Sequence, residues 1–219
     1  ETGKKVLVWG GLPGETVDFQ STKKKSNFIE GIVTEVITPS KERIEPKDPD
    51  SYLSTSPWQI MTFEAEQHYK AALIEEAFEL HDIVLPEPIE VYSNNQQFQY
   101  RNKIEFSFWW DKELARLDLA FFRRGTHGKL PVEGTSLASE SIHTAARNIR
   151  NLLRQQKGVQ AYMLKTVIIR CDANDNVAMQ LYVKDPEFAA FTDKQLETLG
   201  ISGFELIFSN PKSPASVIT

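Results

Sequence analysis

The stretch Tyr100-Arg101-Asn102-Lys103-Ile104-Glu105-Phe106-Ser107-Phe108-Trp109-Trp110 alternates with a period of two. Tyr100, Asn102, Ile104, Phe106, Phe108 and Trp110 fall on one face and Arg101 and Lys103 on the other, the pattern of a β-strand. A second strand runs into Phe121-Phe122-Arg123-Arg124-Gly125-Thr126-His127-Gly128-Lys129. Together the two strands deliver cations and aromatic rings to one end of a sheet. Guanidinium and ammonium groups displace counterions from phosphates, and aromatic rings stack on unpaired bases, so this end suits RNA. A sheet whose charged rim merely faces water is the plainer alternative.

Outward from this pair, the first segment alternates short β-like runs with turn signals: Lys4 to Trp9, a Gly10-Gly11-Leu12-Pro13-Gly14 turn, Glu15 to Thr22, a Lys23-Lys24-Lys25-Ser26-Asn27 loop, and Phe28 to Ile37. That spacing predicts a small antiparallel barrel or sandwich. Because Glu1-Thr2-Gly3 leads straight into a strand, the barrel is expected to lack its first strand, as in an N-terminally clipped fragment. Residues from Pro39 to Pro57 carry four prolines and little periodicity and read as a linker. A helix is predicted after Thr62 as N-cap, with Ala65, Tyr69, Ala72, Leu73, Ala77 and Leu80 at helical spacing. A second helix spans Ser139 to Lys157, with Ile142, Ala145, Ile149, Leu152 and Leu153 on its buried face. Arg147, Arg150, Arg154 and Lys157 form a basic stripe beside that face, either an RNA contact or cations that complement the helix C-terminus. A hairpin of Thr166 to Cys171 with Val177 to Val183, a helix near Thr192 to Leu199 and a strand from Phe204 to Phe208 complete the chain. The fold class is α+β.

Composition bounds the function. At 219 residues and 41% hydrophobic content the chain is an ordinary globular protein, with no apolar run of membrane-spanning length and no signal-peptide pattern, so a cytoplasmic protein without membrane contact is expected. The net charge of −5 excludes a uniformly basic nucleic-acid binder but not a local basic patch. Cys171 is the only cysteine, so one chain builds neither an internal disulfide nor a thiolate-ligated metal site, and its strand setting predicts an inert thiol. No G-x-G-x-x-G or G-x-x-x-x-G-K-[ST] turn is present. Glu75, Glu76, Glu79, His81 and Asp82 read as a solvated helix end rather than a metal cluster, and His127 alone makes no acid–base system.

Several segments resemble the RNA uracil-5 methyltransferases. Gly3 to Glu15 with Leu12-Pro13-Gly14-Glu15, the lysines before Asn27-Phe28, and Arg43-Ile44-Glu45-Pro46 are similar to a TRAM domain, an OB-like RNA-binding barrel. Ser56-Pro57-Trp58-Gln59-Ile60-Met61, Tyr69-Lys70, Tyr100-Arg101-Asn102-Lys103 and Phe121-Phe122-Arg123-Arg124-Gly125-Thr126-His127 resemble the central domain of that family, and Asn210-Pro211-Lys212-Ser213-Pro214-Ala215-Ser216 the passage before its catalytic domain. The resemblance implies three segments: a partial TRAM barrel over 1–45, a central domain with an antiparallel sheet over 46–138, and a helix-hairpin-helix-strand segment over 139–219. It implies tRNA or ribosomal RNA as partner, a monomeric protein, and formation of 5-methyluridine with S-adenosylmethionine as methyl donor. In the family a cysteine adds to C6 of uracil, C5 takes the methyl group and a base removes the C5 proton; that domain and its cofactor site are expected after Thr219.

Many family members carry a four-iron–four-sulfur cluster. Here the corresponding stretches read Pro46-Lys47-Asp48-Pro49, Ser54-Thr55-Ser56-Pro57 and Gly134-Thr135-Ser136-Leu137, without thiolates, so no cluster is expected. No catalytic residue is assigned. The implied RNA contacts are Arg101, Lys103, Arg123, Arg124 and His127, with Lys23, Lys24 and Lys25 for electrostatic steering and Tyr100 or Trp58 for stacking or packing. The alternatives are a free-standing RNA-binding protein without catalysis and a small-molecule enzyme using His127 or His81 with nearby carboxylates.

Overall fold

A computed structural model of the chain describes residues 3–209 and 215–218; the Asn210 to Pro214 passage singled out above lies outside them. The chain divides into two compact units, Glu1–Gln97 with Arg124–Thr126, and Phe98–Arg123 with His127–Thr219.

The first unit carries strands β1 (Lys5–Trp9), β2 (Thr16–Lys24) and β3 (Phe28–Thr38) in the order β1-β3-β2. The turn from Lys25 to Phe28, closed by the Lys25 amide on the Phe28 carbonyl at 2.9 Å, makes β2 and β3 an antiparallel hairpin. β1 joins the opposite edge of β3 in parallel, from Lys5 opposite Phe28 to Trp9 opposite Ile32, so the sheet is mixed rather than purely antiparallel. The chain between β1 and β3 runs through β2, which supplies the crossover that parallel pairing needs. Gly31 is required at the centre of β3, because a Cβ there would lie 2.4 Å from the Phe19 ring.

The Pro39 to Pro57 stretch is ordered rather than a free linker. Arg43 bridges to Met61, helix α1 (Tyr52–Thr55) and a 3-10 turn over Pro57–Ile60 follow, and Gln59 brackets Asp48 through two hydrogen bonds of 3.1 Å. Leu12, Ile60, Met61 and Ala65 form the core of this unit, with Tyr52, Trp58 and Tyr69 packed on it; Trp58 is therefore a packing aromatic, capped by the Lys70 ammonium 5.5 Å from its ring. Helix α2 (Phe63–Glu79) starts as predicted, the Thr62 hydroxyl accepting from the Ala65 amide at 3.3 Å. Its apolar face differs from expectation: Ala65 is buried, but Leu73 and Leu80 are exposed.

The second unit is a seven-stranded sheet with β4 (Lys103–Asp111), β5 (Arg116–Phe122), β6 (Lys129–Pro131), β7 (Leu164–Cys171), β8 (Val177–Val183), β9 (Gly203–Phe208) and β10 (Ser216–Val217). The order is β10-β9-β8-β7-β4-β5-β6. All neighbours are antiparallel except β8 and β9, whose connection contains helix α4 (Asp193–Glu197) and so crosses over to a parallel partner. The expected antiparallel sheet is thus mixed here as well. Helix α3 (Glu140–Gln155) packs on one face, burying Ile142, Ala145, Ile149, Leu152 and Leu153 against Ile104, Phe106 and Phe108 of β4 and their neighbours. Phe106 and Phe121 stack at 5.1 Å, and Phe106 is wholly buried, each such side chain contributing about 1.5–3 kcal/mol. The opposite face carries the alternate residues of each strand, including Lys103, Glu105 and Trp109 of β4, and much of it is exposed. The architecture is α+β with two mixed sheets.

Candidate nucleic-acid interface

Because β4 and β5 are antiparallel, the start of β4 and the end of β5 lie at one end of the second unit's sheet. Five of the expected RNA contacts gather there. Arg101 bridges to Ala138, its amide donating to the Leu137 carbonyl at 2.9 Å, which fixes the backbone just ahead of β4. Tyr100 is half exposed, with the Arg101 guanidinium carbon 6.0 Å from its ring centre. Lys103 is exposed on the open face of the sheet. The Arg123 amide donates to the Gly128 carbonyl at 2.9 Å and closes the basic turn, leaving the Arg123 and His127 side chains exposed. Among the described residues neither Lys103 nor Arg123 has a carboxylate partner.

The register adds a residue that the sequence reading missed. Arg170 of β7 stands directly opposite Lys103 and is also exposed. Like charges opposite one another destabilise a sheet pair, so this juxtaposition carries a cost that an anion would relieve. Only the strand pairing reveals it. The alternation Val167-Ile168-Ile169-Arg170-Cys171 predicts that Arg170 points away from the core, but not which residue it faces.

The remaining expected contacts belong to the first unit. Lys24 and Lys25 are exposed at the β2–β3 turn, and Lys23 lies 3.7 Å from Glu30 across the hairpin. Arg124 has internal work: its Nε donates to the Leu53 carbonyl at 2.8 Å and its guanidinium carbon lies 4.3 Å from the Trp9 ring centre. Those contacts use much of its charge and hydrogen-bonding capacity within the unit.

Two cations of the α3 basic stripe are likewise engaged inside the fold. Arg150 is buried and donates to Glu133 at 2.7 Å, Arg147 pairs with Glu140 at 2.5 Å, and Arg154 pairs with Asp118 while its Nε donates to the Leu117 carbonyl at 2.6 Å. The RNA alternative for that stripe does not fit Arg150 and Arg154; Arg147, in a surface pair with Glu140, and Lys157 remain accessible. Elsewhere, Lys129 donates to the Phe108 carbonyl at 2.8 Å, and burial, reinforced by the nearby Lys184, pushes its ammonium pKa down. Cys171 is half-buried, its Sγ 3.3 Å from the Ser139 hydroxyl.

Among the described residues, no three of His, Cys, Asp and Glu are grouped to hold a metal ion. The Gly10 to Gly14 turn does not fit an S-adenosylmethionine cradle: it joins two strands instead of a strand and a helix, and Glu15 takes the Leu12 amide at 2.8 Å. Among the described residues, no helix is long and apolar enough to cross a membrane.

Similarity to known proteins carries the remaining information. No family model matches the chain. It is 24% identical over 161 residues to the 23S rRNA (uracil(1939)-C(5))-methyltransferase RlmD of Shewanella halifaxensis, a match covering 73% of this chain and 36% of that protein. It is 30% identical over 106 residues to RlmD of Legionella pneumophila, covering 48% of this chain and 24% of that protein. An uncharacterised RNA methyltransferase of Thermotoga maritima is 26% identical over 195 residues, 84% of this chain and 42% of that protein. The chain therefore spans well under half the length of these relatives. In fold it is similar to the crystal structure of Pyrococcus abyssi tRNA (uracil-54, C5)-methyltransferase in complex with S-adenosyl-L-homocysteine, with a TM-score of 0.65 at 12% identity over 98% of this chain and 50% of that one. In sequence the chain is thus similar to RNA uracil-5 methyltransferases, and in fold it resembles a solved one.

Proposed function

We propose that this chain is the RNA-recognition part of an S-adenosylmethionine-dependent RNA uracil-5 methyltransferase that forms 5-methyluridine in tRNA or ribosomal RNA. In this reading residues 1–45 act as the TRAM-like part, 46–138 as the central recognition domain and 139–219 as the segment leading to the methyltransferase domain. The carrying observation is the set of exposed cations at one end of the second unit's sheet, with Lys103 and Arg123 free of carboxylate partners among the described residues. Tyr100, Arg101, Lys103, Arg123 and His127 hold the RNA backbone and an unstacked base, and Lys23, Lys24 and Lys25 steer it. Arg124 acts with them by shaping the basic turn. Backbone contacts of this kind offset the cost of unstacking a uridine so that a methyltransferase domain reaches it. S-adenosylmethionine supplies the methyl group of the whole enzyme; the residues described here supply grip and position.

Fluorescence anisotropy with a labelled RNA hairpin bearing a loop uridine, titrated over salt, tests this. The wild-type chain should bind with a steep salt dependence, and Arg123→Gln should shallow the slope by about one charge's worth. Binding with no salt dependence, or none at all, refutes the reading.

A further inference from the structure

The open face of the second unit's sheet holds a depression of about 500 Å³ beside the Lys103–Arg170 pair, within the size range of small-ligand sites. The geometry points to a binding site for one unpaired nucleotide of the RNA in this depression, an inference that rests on the RNA-recognition reading above and gives it a second contact point on the sheet. Register lays out the site in rows. Lys103, Arg170, Ala178 and Gly203 face one another across β4, β7, β8 and β9, and Glu105, Ile168, Gln180 and Glu205 form the next row on the same face.

Each row has a distinct chemistry. The first begins with two exposed cations without a carboxylate partner among the described residues, then drops to two small residues. Gly203 opens β9 and is paired there only with Ala178 of β8; its φ is ordinary and a Cβ would meet only the Ala178 Cβ, at 3.9 Å. With no side chain at Gly203 and only a methyl group at Ala178, this end of the row leaves the sheet surface open to a close-lying ligand. Ile168 gives the floor an apolar patch that takes the face of a base. Gln180 donates to Glu205 at 2.7 Å, which orients the carboxylate and leaves its second oxygen to accept a base N–H. The cations select the phosphate side, and the Glu205 carboxylate repels phosphate from the other. A nucleotide therefore lies with its phosphate on Lys103 and Arg170 and its base over Ile168, Ala178 and Gly203.

The test fills the depression without touching the cations. The full chain carrying Gly203→Leu is compared with wild type for binding to a labelled oligouridylate and to an abasic ribose-phosphate oligomer of equal length. Gly203→Leu should weaken oligouridylate binding about tenfold, a typical effect of losing one base contact, while abasic binding stays unchanged. Arg170→Gln should weaken both oligomers and reduce the salt slope by about one. Should Gly203→Leu fail to fold, Ala178→Leu, also exposed, replaces it with the same expectation. Unchanged oligouridylate affinity in a folded depression-filling variant overturns the site but leaves the RNA-recognition reading standing. Failure of the wild-type chain to bind either oligomer overturns both.

Discussion

Glu15→Gln should remove a large part of the first unit's stability at neutral pH, and the loss should disappear in acid. The Glu15 carboxylate accepts from Arg43 Nε at 2.5 Å and Nη2 at 2.6 Å, and from the Leu12 and Ser40 amides at 2.8 and 3.0 Å. Its side chain is 1% exposed, so solvent screens little of this. Arg43 above all, opposed by burial and helped by the two amides, holds the carboxyl at about 2 instead of 4.5. A tenfold change in acidity is worth about 1.4 kcal/mol, so a depression of this size corresponds to about 3 kcal/mol of stability. Because the folded-state value lies below the unfolded one, the contribution is complete above pH 4.5 and declines as pH falls toward 2. The glutamine variant keeps shape but not charge and leaves Arg43 half satisfied, which predicts a loss of about 3 kcal/mol at pH 7. Urea unfolding from pH 7 to 2, with hydrogen exchange at the Leu12 and Ser40 amides as a local probe, measures the difference. Wild type and variant should converge near pH 2. A gap that stays constant through the acid range would refute the assignment of this stability to an ionised Glu15.

Arg124→Gln loses the Leu53 hydrogen bond and the Trp9 contact and should destabilise the first unit by about 1–2 kcal/mol in thermal unfolding. Arg154→Met should cost about 2 kcal/mol, less than for a buried carboxylate left alone, because Arg116 stays 3.1 Å from Asp118; its RNA affinity should equal wild type. Lys103→Gln should reduce the salt slope of RNA binding by about one while slightly raising the melting temperature, because the repulsion with Arg170 is removed. Phe106→Ala, at the stacked centre of the core, should cost about 3–5 kcal/mol by urea titration.

Local physics made much of this protein legible in its sequence. The two-residue period from Tyr100 to Trp110, the cap at Thr62 and the apolar stripe of α3 depend on neighbours within a turn or a strand; the helices formed where their patterns lay, and the strand formed from Lys103 onward, three residues later than the pattern begins. The exposed cations of the basic turn were visible for the same reason. Partners distant in sequence decided the rest. Arg154 finds Asp118 and Arg150 finds Glu133, so a stripe that looks basic on a helical wheel is partly neutralised in space. Arg43 and Glu15 turn an apparent linker into a fixed segment. The parallel pairings of β1 with β3 and of β8 with β9, and the meeting of Lys103 with Arg170, follow from register across the sheets. Hydrophobic period tells a side chain which way to face; only the packed chain tells it whom it faces, because pairing energies between distant strands are set by the whole core at once.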